Sequence, residues 1–257
     1  MSEFAISSRG IHDFKKNMFK NIVIFGTGGA IGSAVLDQLV SKYPGAHIHA
    51  CSSHPSPGDH HRQITSHLIT YEDEQTLADA AQKSQNSGPI DLIFVATGLL
   101  HQGALMPEKS LKDMTADKFI TLYKANTIIP ALIAKHFLPH LTRDGRGVYA
   151  VLSARVGSIS DNQWGGWYAY RCAKAALNML VKNLSIEMAR RYPDAVILGL
   201  HPGTVDSALS EPFQKQVPAD RLFTPKFAAE KLIFILETIQ PVDTGKCFAW
   251  DGQEIKP

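Results

Sequence analysis

Tyr170 and Lys174 stand four residues apart in YRCAK, so any helix containing them puts both on one face. A free phenol has a pKa near ~10, too high to exchange a proton readily at neutral pH. An ammonium beside it favours the phenolate and lowers that value. Such a pair could act as an acid in one direction of a reaction and as a base in the other. Tyr168 competes two residues earlier, but Cys172 and not a lysine stands four positions after it. A second stretch, FGTGGAIGSA, starts at Phe25 and carries Gly26, Thr27, Ala30, Ile31 and Gly32. Gly26 can turn tightly, Gly32 lets a helix approach a strand, and free N–H groups at a helix start suit a pyrophosphate. The same run also fits a purely structural glycine turn.

The surrounding pattern must position these groups. NIVIF (21–25) reads as a strand, followed by a helix with apolar residues at Ile31, Val35, Leu36 and Leu39. HIHAC (47–51), SHLIT (66–70), IDLIFVATG (90–98), GVYAVLS (147–153), AVILGLHPG (195–203) and GKCFAWDG (245–252) are the further strands. Helices are expected over 73–84, 115–141, 168 to about 192, and 224–239, with Thr115 and Thr224 as caps and Pro130 as a kink. Strands alternating with helices imply parallel βαβ units. The fold class is α/β, a single Rossmann-type domain over 18–257 with helices on both faces of a doubly wound parallel sheet. Residues 1–17 are expected to be a flexible extension.

Composition excludes several functions. The chain has 257 residues, 44% hydrophobic and 19% charged, with a formal charge of +2. That length suits one domain of this class. Scattered Lys and Arg argue against a nucleic-acid partner. No run of ~20 apolar residues argues for a membrane span. Cys51, Cys172 and Cys247 match no zinc or redox spacing and fit packing in a reducing cytoplasm. His47, His49, His54, His60 and His61 form a rich stretch without a further ligand set, so no metal is expected.

The ordered set of glycine loop, Asn126, Tyr170/Lys174 and Pro202-Gly203 resembles the short-chain dehydrogenase/reductase family over about 20–252. Within it, SARVGSISDNQWGGWYAYRCAKAALNML and CFAWDGQEI look most like the C-factor-like or sniffer-like carbonyl reductases. The resemblance implies an NAD(P)-dependent oxidoreductase that reduces a carbonyl of a small molecule, with Tyr170 as general acid/base. Lys174 would lower the phenol's pKa and hold ribose hydroxyls, and Asn126 would anchor a proton relay. Gly98 is what remains of the family's Asn-Asn-Ala-Gly, and Pro202, Gly203, Val205 and Ser207 would hold the carboxamide, with Thr204 alongside. The strand at 47–51 ends in Ser52, Ser53 and His54 with no acid, which favours NADP over NAD.

The family's catalytic serine falls on Ala154. Ser153 is the first candidate to replace it, Ser158 the second, and a site without a serine the third. Residues 208–223 read as a lid or as an ordinary long loop. Trp164, Trp167 and Trp250 read as pocket walls or core. The apolar stripes of the long helices imply a homodimer or homotetramer. The alternative is a C-factor-like cofactor-binding signalling protein with little turnover, motivated by Ala154 and by the missing asparagines at Val95 and Ala96.

Overall fold

The computed structural model describes residues 18–54 and 61–257. The extension expected at 1–17, and His60 of the histidine stretch, lie outside the described residues. Among those described, an eight-stranded sheet runs in the order β10-β9-β6-β5-β4-β1-β2-β3. Its strands are β1 (Asn21–Phe25), β2 (His47–Ser52), β3 (Ile64–Leu68), β4 (Leu92–Val95), β5 (Val148–Leu152), β6 (Val196–His201), β9 (Cys247–Ala249) and β10 (Glu254–Ile255). All neighbours pair parallel except β9 and β10, which close one edge antiparallel. A second, two-stranded parallel sheet joins β7 (Thr204–Val205) to β8 (Leu222–Phe223).

The helices are α1 (Ala30–Lys42), α2 (Glu74–Gln85), α3 (Ala116–Tyr123), α4 (Ile129–Phe137), α5 (Tyr168–Met188) and α6 (Pro225–Thr238). Alternating side chains of each strand serve opposite faces. Ile22 and Ile24 of β1 pack with Val35 and Leu39 of α1 and Leu232 and Leu236 of α6. Val23 and Phe25 pack on the other face with Leu77 of α2, Phe137 of α4 and Leu177 of α5. The Phe25 and Phe137 rings meet edge to face at 4.9 Å. Each such side chain, fully buried, stabilises the fold by about 1.5–3 kcal/mol.

Three local features depart from the expectations. The third strand lies at Ile64–Leu68 instead of 66–70; it ends early because the chain is already turning at Thr70, where the Thr76 hydroxyl donates to the Thr70 carbonyl. The long helix over 115–141 is interrupted by a π turn at Lys124–Ile128, five residues that end just before Pro130. Pro130 has no N–H for the carbonyl four residues back. The ladder widens there, and the Ile129 N–H reaches back to the Lys124 carbonyl. The short strands β7, β8 and β10 were not expected; pieces of two residues carry no readable period.

The order in which strands are added to the sheet reverses about β1, whose neighbours are β2 on one side and β4 on the other. In open α/β sheets the crevice at such a switch point, outside the carboxyl ends of the strands, is where ligands bind. The glycine loop after β1, Gly98 after β4 and the segment after β6 all sit at that edge.

Candidate functional site

The loop between β1 and α1 is shaped by two glycines at which a side chain would be strained or would clash. Gly26 has φ +82°, and a Cβ there would lie 3.0 Å from the Ala96 carbonyl carbon. Its N–H donates to the Cys51 carbonyl at 2.8 Å, tying the loop to the end of β2. A Cβ at Gly32 would lie 2.1 Å from the Gly26 oxygen, against backbone that cannot yield. Gly29 caps α1 with no side-chain bond, and the first turn holds no acid. Nothing lies within 4 Å of a Cβ built on Gly28. The helix start thus offers its N–H groups to open space, and the hydroxyls of Thr27 and Thr97 are buried without partners. Uncapped donors and orphaned hydroxyls at a switch point fit the phosphates of a dinucleotide. Ala30 and Ile31 form the first turn of α1, both half-buried.

Ser52 is buried at the end of β2 and its hydroxyl donates to the His54 carbonyl. Ser53 is exposed, its hydroxyl 3.0 Å from His54 Nδ1. At the far side of the cleft, Gly203 has φ +79°. Val205 is buried and accepts the Ser207 hydroxyl at 3.1 Å.

Asn126 lies in the π turn and is 0% exposed. Its amide nitrogen donates to the Leu99 and Leu122 carbonyls at 2.7 and 2.9 Å, and its oxygen accepts from the Leu99 N–H at 3.1 Å. It therefore clamps the loop after β4 onto the helix. A Cβ on Gly98 would lie 3.3 Å from Asn126 Oδ1 and 3.8 Å from Lys174 Nζ, so these three residues meet at one point.

Lys174 is 3% exposed and donates to the Leu152 carbonyl at 2.9 Å. Its ammonium stands 5.7 Å from the centre of the Tyr170 ring. Burial lowers the Lys174 pKa to about 8. Burial also pushes the Tyr170 phenol up, where the sequence led us to expect a fall. The reason is desolvation, which disfavours the charged form of both groups and here outweighs the ammonium's pull. A phenol held neutral in this way is a proton donor.

Both serine candidates spend their hydroxyls on partners other than the phenol. Ser153 is 4% exposed, its hydroxyl donates to Asn178 Oδ1 at 2.6 Å, and it also bonds the Cys247 thiol. Ser158 is buried and donates to the Lys256 carbonyl. Strand alternation turns Ser153 towards β6 and α5. Ala154, the next residue, packs in the cluster around Tyr170. Sequence alone could not show where a hydroxyl finds its partner.

The structure adds an apolar wall that the sequence left open. Trp167 and Phe213 pack against the cluster of Tyr170 and Leu100, with ring centres 4.9 Å apart. Phe213 also meets His101 at 5.8 Å, and His101 Nε2 lies 3.0 Å from the Ala208 carbonyl. Segment 208–223 thus folds over the tyrosine in two short 3-10 turns, Glu211–Gln216 and Ala219–Arg221, and returns to pair in β7–β8. Trp167 was legible as a wall or core residue; Phe213 and His101 carried no signal. No group of three or more His, Cys, Asp or Glu able to hold a metal exists among the described residues.

A glycine loop at the switch point and a buried tyrosine-lysine pair beneath a covering segment define a class, the Rossmann-type proteins with a Tyr-x-x-x-Lys cleft. A model of the family described as short chain dehydrogenase matches residues 20–218. The chain belongs to that family of oxidoreductases. It is similar to the C-signal protein of Myxococcus xanthus, 26% identical over 169 residues, 66% of this chain and 93% of the relative. Among solved structures it resembles the NADPH-bound carbonyl reductase from chicken fatty liver, with TM-score 0.81 and 21% identity over 93% of this chain and 99% of that one. The carbonyl reductase Sniffer of D. melanogaster gives TM-score 0.81 and 18% identity over 93% and 100%. These structures share the fold.

Proposed function

We propose that this chain is an NAD(P)H-dependent carbonyl reductase that converts an aldehyde or ketone to an alcohol. The observation that carries the proposal is Tyr170, whose hydroxyl bonds no other described residue, beside Lys174, Asn126 and Gly98 at the carboxyl edge of the sheet. Bound there, a dihydronicotinamide supplies the hydride that the carbonyl carbon takes up. Tyr170 would donate its proton to the carbonyl oxygen, and Lys174, its pKa lowered by burial to about 8, would return a proton to the phenolate and regain one from solvent. Asn126 holds the Leu99 backbone in place beside both. With the Ser153 and Ser158 hydroxyls bonded to Asn178 and to the Lys256 carbonyl, Tyr170 would be the main holder of the substrate oxygen.

Gly26, Thr27, Ala30, Ile31 and Gly32 would seat the pyrophosphate, and Gly98, Pro202, Gly203, Val205 and Ser207 the nicotinamide side. Ser52 and Ser53, with no acid among Cys51 to His54, support NADP over NAD. The NADPH bound to the chicken carbonyl reductase supports the same choice. Exposed Ile128, Met179 and Ile186 on the long helical segments support a homo-oligomer. Three free cysteines, and no helix long and apolar enough to cross a membrane among the described residues, support a cytoplasmic setting.

The test is a fluorescence titration with NADPH and NADH, followed by a panel of aldehydes, ketones and quinones. The expected result is tighter NADPH binding and turnover of at least one carbonyl class. Clear cofactor binding without turnover of any of them would restore the C-factor-like signalling alternative.

A further inference from the structure

One buried carboxylate beside the cleft has no part in the chemistry above. Glu108, on the loop between β4 and α3, is 0% exposed. Its Oε2 accepts the Ala169 N–H at 3.3 Å, and its backbone carbonyl accepts the Trp167 N–H at 2.7 Å. Its other carboxyl oxygen, Oε1, is buried without a partner. Ala169 and Trp167 belong to the start of α5, the helix of 21 residues that bears Tyr170 and Lys174.

That helix start is irregular. Trp167 occupies the cap position with φ +49°, and among the described residues it alone, apart from glycines, has positive φ. Gly165 and Gly166 precede it with φ +62° and +65°, so the chain runs left-handed for three residues. A left-handed conformation strains a residue that carries a side chain. It persists only where the surroundings over-determine it. Trp167 makes no side-chain cap of its own. Glu108 supplies what is missing, with two acceptors from one residue placed on either side of Tyr168. A carboxylate there also meets the positive end of a long helix. An acceptor left orphaned in the interior is costly, and its persistence beside a strained turn marks a constraint other than stability.

We infer that Glu108 is a positioning residue of the cleft. Its carboxylate and carbonyl cap α5 from another element, fix the left-handed turn at Trp167, and so set the placement of Tyr170 against the apolar wall. The kinetic part of this inference rests on the carbonyl-reductase proposal; the structural part does not.

The experiment compares Glu108→Ala, Glu108→Gln and Asp73→Ala. The last removes an ordinary side-chain cap, that of α2, which donates nothing to the cleft. Each variant is read by kcat, by the Kd for NADPH, and by amide hydrogen exchange of the segment 167–173. Glu108→Ala is expected to lower kcat at least ten-fold with Kd changed less than two-fold, and to speed exchange at the start of α5. Glu108→Gln keeps an acceptor for the Ala169 N–H and should recover kcat to within three-fold. Asp73→Ala should alter neither kcat nor exchange in α5. If Glu108→Ala does not fold, Glu108→Asp replaces it: charge retained but reach shortened by one methylene should still lower kcat and speed exchange. Unchanged kcat and exchange in Glu108→Ala or Glu108→Asp overturn the inference, as does a Glu108→Gln variant no better than alanine. Should the wild-type chain turn over no carbonyl, the proposed function fails, and exchange at 167–173 alone decides the role of Glu108.

Discussion

Tyr170 and Lys174 define what single residues contribute. Lys174 has its pKa lowered by burial to about 8 from an ordinary 10.5. Its charged form is disfavoured in the folded state, so between these values the unfolded chain binds more protons. Stability therefore carries the full penalty below pH 8 and recovers as pH rises from 8 towards 10, where the phenols begin to ionise in the unfolded chain. Denaturant unfolding at pH 7.5 and 9.5 should show wild type gaining on Lys174→Met by on the order of 1 kcal/mol per pH unit. A flat difference would mean that Lys174 is solvated. The serine question also belongs here. Ser153→Ala should cost about 1 kcal/mol of stability, the worth of one internal hydrogen bond, and leave kcat within two-fold. Ala154→Ser, which puts a hydroxyl into the cluster around Tyr170, should raise kcat. The tyrosine-lysine pair was legible because a spacing of four fixes one helical face. The serine was not, because its partners, Asn178 and Cys247, lie 25 residues away on α5 and on a distant strand.

Elements carry these residues to one edge. The sheet's central strands were legible because each is a short apolar run bounded by turns. The break in the long helix was legible only as a proline; that it would be a π turn presenting Asn126 inward depends on the loop it grips. Removing that grip tests it. Asn126→Ala leaves the Leu99 N–H and carbonyl without their partner and should destabilise the chain by roughly 2–3 kcal/mol, with kcat falling further than the Kd for NADPH rises. The glycine loop makes the opposite prediction. Gly32→Ala drives a Cβ to 2.1 Å from the Gly26 oxygen, so NADPH binding should weaken at least ten-fold in titration. Unaltered binding would place the cofactor elsewhere.

At the scale of the whole molecule, the sheet places three loops around one crevice and the segment 208–223 closes over it. Alternating strands and helices made the α/β class legible. How the covering segment would pack was not, since Phe213 meets Trp167 and His101 across sequence separations of 46 and 112. Phe213→Ala should open the apolar wall and raise KM several-fold while kcat changes less. The central claim is that Tyr170 delivers a proton to a carbonyl oxygen beside a bound dihydronicotinamide. The most direct test measures kcat for a turned-over carbonyl in wild type and Tyr170→Phe, with the Kd for NADPH measured in both. We expect kcat to fall at least ~100-fold while Kd stays within two-fold. Turnover by Tyr170→Phe within three-fold of wild type would contradict it.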